Sequence, residues 1–184
     1  MLIARKRLST LNREDGSVAV EFAMIIVPFV YLTIAIIELA MMTAASNMLE
    51  AAVNESSRSI RTGQIQEQTA LPPQEAFEEE LCSHLFVIVD CDEVSFEVIS
   101  MPGDSFSEAA AYQPVYDEDG NLVPRDFDAG SSNDVVMIRA TFRYQLMTPL
   151  FSRIFSQEPD QTIPMISTVV IETEPYDFDD SEET

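Results

Sequence analysis

The chain has little of what most enzymes use for chemistry. Its 184 residues include one histidine, His84, so a metal site or a base and nucleophile pair of the usual kind lacks its parts. It contains no Gly-Lys-Ser/Thr phosphate loop, no Gly-x-Ser-x-Gly elbow, no His-Glu-x-x-His and no Cys-x-x-Cys, the short motifs that carry phosphate, acyl and metal chemistry. Neighbouring acids such as Glu79 and Glu80 fall in a stretch that reads as a solvated helix face, which gives paired-carboxylate catalysis little support. His84 reads as a satisfied or exposed residue at a helix end. The sequence therefore leads us to expect no catalytic residue and no cofactor.

Positive charge is also scarce. Ten Lys and Arg face thirty-two Asp and Glu, for a net charge of −22, and four of the ten (Arg5, Lys6, Arg7 and Arg13) crowd into the first thirteen positions. Taking away residues 1–16, which hold four basic and two acidic residues, leaves six basic and thirty acidic, a net −24. Such a surface repels nucleic-acid backbones and anionic lipid, and favours cations and basic partners. Most of these acids read simply as a solvated surface. There are two cysteines, Cys82 and Cys91, with eight residues between them. A disulfide closing a small loop is the leading reading in an oxidising compartment, with two free buried thiols as the other.

The sequence does hold a long apolar run, from Gly16 to Ala45, broken by Glu21 and Glu38. The sixteen uncharged residues between those acids make about 24 Å of helix, short of a hydrocarbon core of about 30 Å. With Glu38 at the outer interface, the span becomes Val18 to Ile37 and Glu21 is drawn about one turn into the membrane, where a carboxylate is costly. A basic cluster before the run and acidic sequence after it predict a cytoplasmic N-terminus and, in a bacterial inner membrane, a periplasmic remainder. A secretory signal ending near Thr43, Ala44 and Ala45 is the rival reading. The apolar stretch from Phe22 to Met42 is too long for it.

A basic leader, a glycine, then an apolar segment with glutamate fifth and an aromatic residue sixth is the pattern cut by prepilin peptidases. The cut falls between Gly16 and Ser17. It frees an amine at Ser17 near Glu21, so that amine and acid of neighbouring subunits can pair in the bilayer and each lower the cost of burying the other. A glutamate that snorkels to the interface is the plainer account of Glu21, and Gly16 at its fixed spacing argues against it.

Gly16, Glu21, Phe22, Pro28, Ile37, Glu38 and Leu39 together resemble the TadE-like family of minor pseudopilins of the tight-adherence pilus. Members of that family carry Gly-x-x-x-x-Glu-Phe, a span with a proline, and a second acid in an Ile-Glu-Leu type sequence. The weaker distal resemblances are Asp119-Gly120-Asn121, Pro149-Leu150 and Glu174-Pro175-Tyr176. The resemblance implies an assembly role for Glu21, Phe22 and Glu38. The partners it implies are a prepilin peptidase, other pilin or pseudopilin subunits and the inner-membrane assembly platform. An unprocessed single-pass protein with an acidic periplasmic binding or adhesion domain is the alternative function.

The rest of the chain predicts an α+β fold with a pilin-like outline: a long N-terminal transmembrane helix continuing into a periplasmic domain with a small antiparallel sheet. The divisions are a leader at 1–16, the membrane and assembly helix at 17–45, its periplasmic extension at 46–63, the α+β domain at 64–176 and an acidic tail at 177–184. Leu39, Met42, Leu49, Val53 and Ile60 carry the helix on to Thr62, with Gly63 as its stop and Arg58 and Arg61 at its negative end. Gln64 to Pro73 reads as a linker. A second helix spans Gln74 to Leu85, with Ala76, Phe77, Leu81 and Leu85 inward. Strands are expected at Leu85 to Val89, Val94 to Ser100, Asp134 to Leu146 and Ile163 to Glu174, with Arg139 and Arg143 opposite the apolar face of the third. Turns fall at Pro102-Gly103-Asp104 and Glu158-Pro159-Asp160, and a helical turn at Leu150 to Phe155. Ser105 to Gly130 reads as a long irregular segment. Within it Asp117, Asp119 and Asn121, with Asp128, have part of a calcium-loop spacing, but Leu122 stands where that loop needs glycine, and a plain acidic turn is the stronger reading.

Overall fold

The uncharged run and the alanine-rich sequence after it contain one internal breaker, Pro28, and form one helix, α1, Glu14–Arg61. Its 48 residues make a rod of about 72 Å. The computed structural model describes residues 14–101, 106–107, 109–148, 152–153, 156 and 161–176. The leader before Glu14, the turns expected at 102–104 and 158–160 and the tail from 177 lie outside the described residues. Of the helical turn expected at 150–155, Ser152 and Arg153 are described and are helical.

Gly63 ends the rod as expected. It adopts the left-handed conformation at φ 77°, which glycine enters without steric cost, and its N–H bonds to Ile60 O at 3.1 Å. The expected linker after it contains a short helix, α2, Gln64–Glu67, because Ile65 is buried against the core and Gln66 Nε2 donates to Ala129 O at 3.0 Å. The next helix, α3, is Pro73–Ser83 and presents Ala76, Phe77 and Leu81 inward.

Three antiparallel strands, β1 Val94–Met101, β2 Val135–Gln145 and β3 Thr162–Glu172, form one sheet in the order β1-β2-β3. Alternation places Val136, Ile138, Ala140, Phe142 and Tyr144 on the face toward α1, all buried, where they meet Ala45, Leu49, Ala52, Val53 and Ile60 of α1 and Phe77 of α3 in one core. Phe77 sits with its ring 5.3 Å from that of Phe96.

Leu85 to Val89 is not a strand. The segment turns back on itself through Val89 N–H to Phe86 O at 2.8 Å, and leaves Phe86 and Val87 exposed. The physical cause is the disulfide joining Cys82 to Cys91, with Cα atoms 5.5 Å apart, which closes the intervening residues into a loop that cannot extend. Apolar composition there reflects the loop's base, where Leu85, Ile88 and Val89 join the core.

The second sheet face is covered by the irregular segment between β1 and β2. Here Glu97 of β1, fully buried, stands opposite Arg139 of β2 and accepts from its Nη1 at 2.5 Å, while Arg125 Nη1 reaches the other oxygen at 3.0 Å. Arg139 Nη2 and Arg125 Nη2 go on to the carbonyls of Tyr112 and Gln113, each at 2.8 Å. Two guanidinium groups on one carboxylate satisfy it as bare burial would not. They also fasten the loop to the sheet. Gly130 turns the chain back toward β2 at φ 70°, where any Cβ would come within 2.9 Å of Val136 Cγ2.

Candidate functional site

Among the described residues, none packs around the first half of α1. Val18, Phe22, Met24, Ile25, Val27, Phe29 and Leu32 are exposed along a continuous apolar surface, far larger than a soluble monomer displays. Glu21 lies in this surface and accepts a bond from Ser17 Oγ at 3.3 Å, one turn away. Phe22 is 62% exposed. Gly16 lies in the first turn of the described helix, and among the described residues nothing comes within 4 Å of where a side chain would project.

Glu38 sits differently. Only 5% exposed, its Oε1 accepts the backbone N–H of Met147 at 2.6 Å and of Thr148 at 3.1 Å, just beyond the end of β2. Its Oε2 and the nearby Tyr144 hydroxyl are buried without hydrogen-bond partners among the described residues. Burial, and then the Glu38 carboxylate, push the Tyr144 phenol above its ordinary range. At the other end of the domain Glu174 N–H bonds to Arg61 O at 2.9 Å, and the two side chains pair at 3.3 Å. From Glu38 to Arg61 the helix rises about 35 Å, close to the roughly 36 Å of an eleven-residue strand. The sheet is thus fastened to α1 at both ends of its own length.

The acidic loop forms a turn. Asp117 Oδ1 accepts the N–H groups of Asp119 and Asn121 at 3.0 and 2.7 Å, and Oδ2 accepts from the Asn121 side chain at 3.2 Å. The Asn121 N–H foremost, with smaller help from Asp119 and Arg143, holds the Asp117 carboxyl below its ordinary range against the opposing effect of desolvation. Arg143, on the second sheet face as expected, donates to Asp119 O. Asp128 is used elsewhere, accepting Gly130 N–H at 2.9 Å and donating its own N–H to Val98 O. Among the described residues no three His, Cys, Asp or Glu side chains are grouped to hold a metal ion. His84 meets Glu80 Oε1 at 3.2 Å on the rim of α3.

Sequence reasoning missed the clamp of Arg125, Glu97 and Arg139 and the engagement of Glu38 within its own chain. For the first, a glutamate alternating with Phe96 and Val98 in a strand was the available signal. For the second there was none, because the partners are backbone groups 109 and 110 residues away.

Fold and site together define an α+β domain carried on one helix that is long and apolar enough to cross a membrane. Residues 16–58 match the family model described as TadE-like protein. The match covers the helix and not the sheet. No curated protein and no solved structure matches the chain.

Proposed function

We propose that the protein is a minor pseudopilin: a single-pass inner-membrane subunit, N-terminus cytoplasmic and domain periplasmic, trimmed between Gly16 and Ser17 by a prepilin peptidase. Its role is structural, in assembling a tight-adherence pilus with other pilin or pseudopilin subunits on the inner-membrane platform. The observation that carries this reading is Gly16. Gly16 stands in the first turn of the described helix, and among the described residues no neighbour needs the space that its missing side chain leaves. A requirement from outside the fold, that of a peptidase, accounts for it. The Ser17 hydroxyl on Glu21 supports the second half of the reading, since an amine freed at Ser17 starts within a turn of that acid. Phe22 and the apolar face around it then meet lipid and neighbouring subunits. Glu38, already bonded within its own chain, serves assembly by setting the angle at which the domain leaves the membrane.

The test uses cells that carry the peptidase and the pilus subunits. Gly16→Phe should leave the leader attached and slow the protein on electrophoresis. Glu21→Gln should be trimmed normally and yet recover fewer partner subunits on affinity isolation. Undiminished recovery would contradict the pairing.

A further inference from the structure

The sheet has two outer edges and they are treated differently. On β1 the Asp128 N–H bonds to Val98 O at 3.0 Å, so the irregular segment lies along that edge. On β3 the ladder bonds Leu146 N–H to Gln161 O and Thr173 N–H to Asp134 O fix which residues face β2. These are the odd-numbered ones, because antiparallel strands turn alternate residues' N–H and C=O inward and outward. Ile166, Thr168 and Val170 therefore point their backbone groups outward, and among the described residues none bonds to them.

Open edges are normally guarded by lysines, prolines, bulges or brevity. β3 has eleven residues in unbroken register with β2, without a lysine, and its one proline, Pro164, lies near its start. From Met165 to Ile171 no described residue is hydrogen-bonded along the edge to block an added strand. Beside it runs a groove of about 330 Å³, walled by Ile166, Ser167 and Thr168 on one side and Ser46, Glu50 and Asn54 on the other. Those helix residues stand at intervals of four, one above another along the strand. Ile166 is 51% exposed.

We infer that the β3 edge takes an extended segment of a different protein, paired by its backbone as a fourth strand, with basic side chains meeting Glu50. Strand addition of this kind draws affinity from main-chain bonds and specificity from alternate side chains. Charge decides the occupant. A second copy would bring another −22 against this surface, and like charge brought together is penalised across an interface. The inference goes beyond the pseudopilin reading and does not depend on whether the leader is cut.

The experiment measures amide exchange on the full chain in detergent micelles with a short synthetic peptide alternating Val and Lys, and with its counterpart carrying Glu for Lys. The Lys peptide should slow exchange at Ile166, Thr168 and Val170 about tenfold or more, and the Glu peptide should not. Glu50→Lys, on an exposed helix position, should weaken the Lys peptide several-fold. Glu79→Lys, on the solvated face of α3, should leave it unchanged. Thr168→Pro removes an outward donor and should abolish protection. No protection, equal protection by both peptides, or equal loss in the two Lys variants would overturn the inference. So would protection that arises without peptide as the chain is concentrated, which would make a second copy the occupant.

Discussion

Glu97 and Glu38 are both glutamates taken out of water, and their partners differ in kind. Glu97 has two guanidinium groups, so removing it leaves Arg139 buried with its countercharge gone. Glu97→Ala should destabilise the full chain by about 3–5 kcal/mol, the usual cost of stranding one member of a buried pair, read as a lowered denaturant midpoint in micelles. A loss under about 1 kcal/mol would show that the arginines find other partners. Asp117 makes a prediction of opposite accessibility, being exposed. Because its carboxyl titrates below the ordinary range, the turn's added stability is complete above about pH 4 and is lost as pH falls through the lowered value. The Asn121 amide resonance should follow that titration, with its midpoint under the usual aspartate value. A midpoint at or above it would contradict the turn geometry.

For the elements, what was legible followed local pattern. The alternation from Val136 to Tyr144 and the helical spacing of Leu49, Val53 and Ile60 gave β2 and the inner face of α1 directly, and all of these residues are buried. Gly63 marked the helix end. Leu85 to Val89 shows where composition misleads: a strand-like run is overridden by a covalent closure between cysteines nine positions apart. The clamp around Glu97 and the seat of Glu38 were illegible for a different reason. Both depend on register between segments distant in sequence, which no local period encodes. The joint at Glu38 is also where helix and domain meet, and Glu38→Ala would leave two amides without their acceptor. It should cost about 1–3 kcal/mol and should hasten exchange at Met147 and Thr148 beyond the rest of the sheet. If those two amides stayed as protected as before, Glu38 would not be what holds the domain to the rod.

Across the whole molecule, one helix has two halves of different character. Its first half shows apolar side chains all round, as a lipid-facing helix does, and its second half is the spine of a domain whose other surfaces are strongly acidic. The two halves share an unbroken backbone, so a force or rotation applied to the apolar half reaches the sheet through Glu38 and Arg61. Such coupling suits a subunit extracted from a bilayer into an assembly. The proposed pseudopilin reading demands, however, that Glu21 be tolerable inside the hydrocarbon, and it makes that depend on a new amine at Ser17. The most direct measurement is the intact mass of the protein isolated from membranes of cells with and without a prepilin peptidase. The account predicts a chain beginning at Ser17 only where the peptidase is present. A chain still beginning at Met1 in both would contradict it.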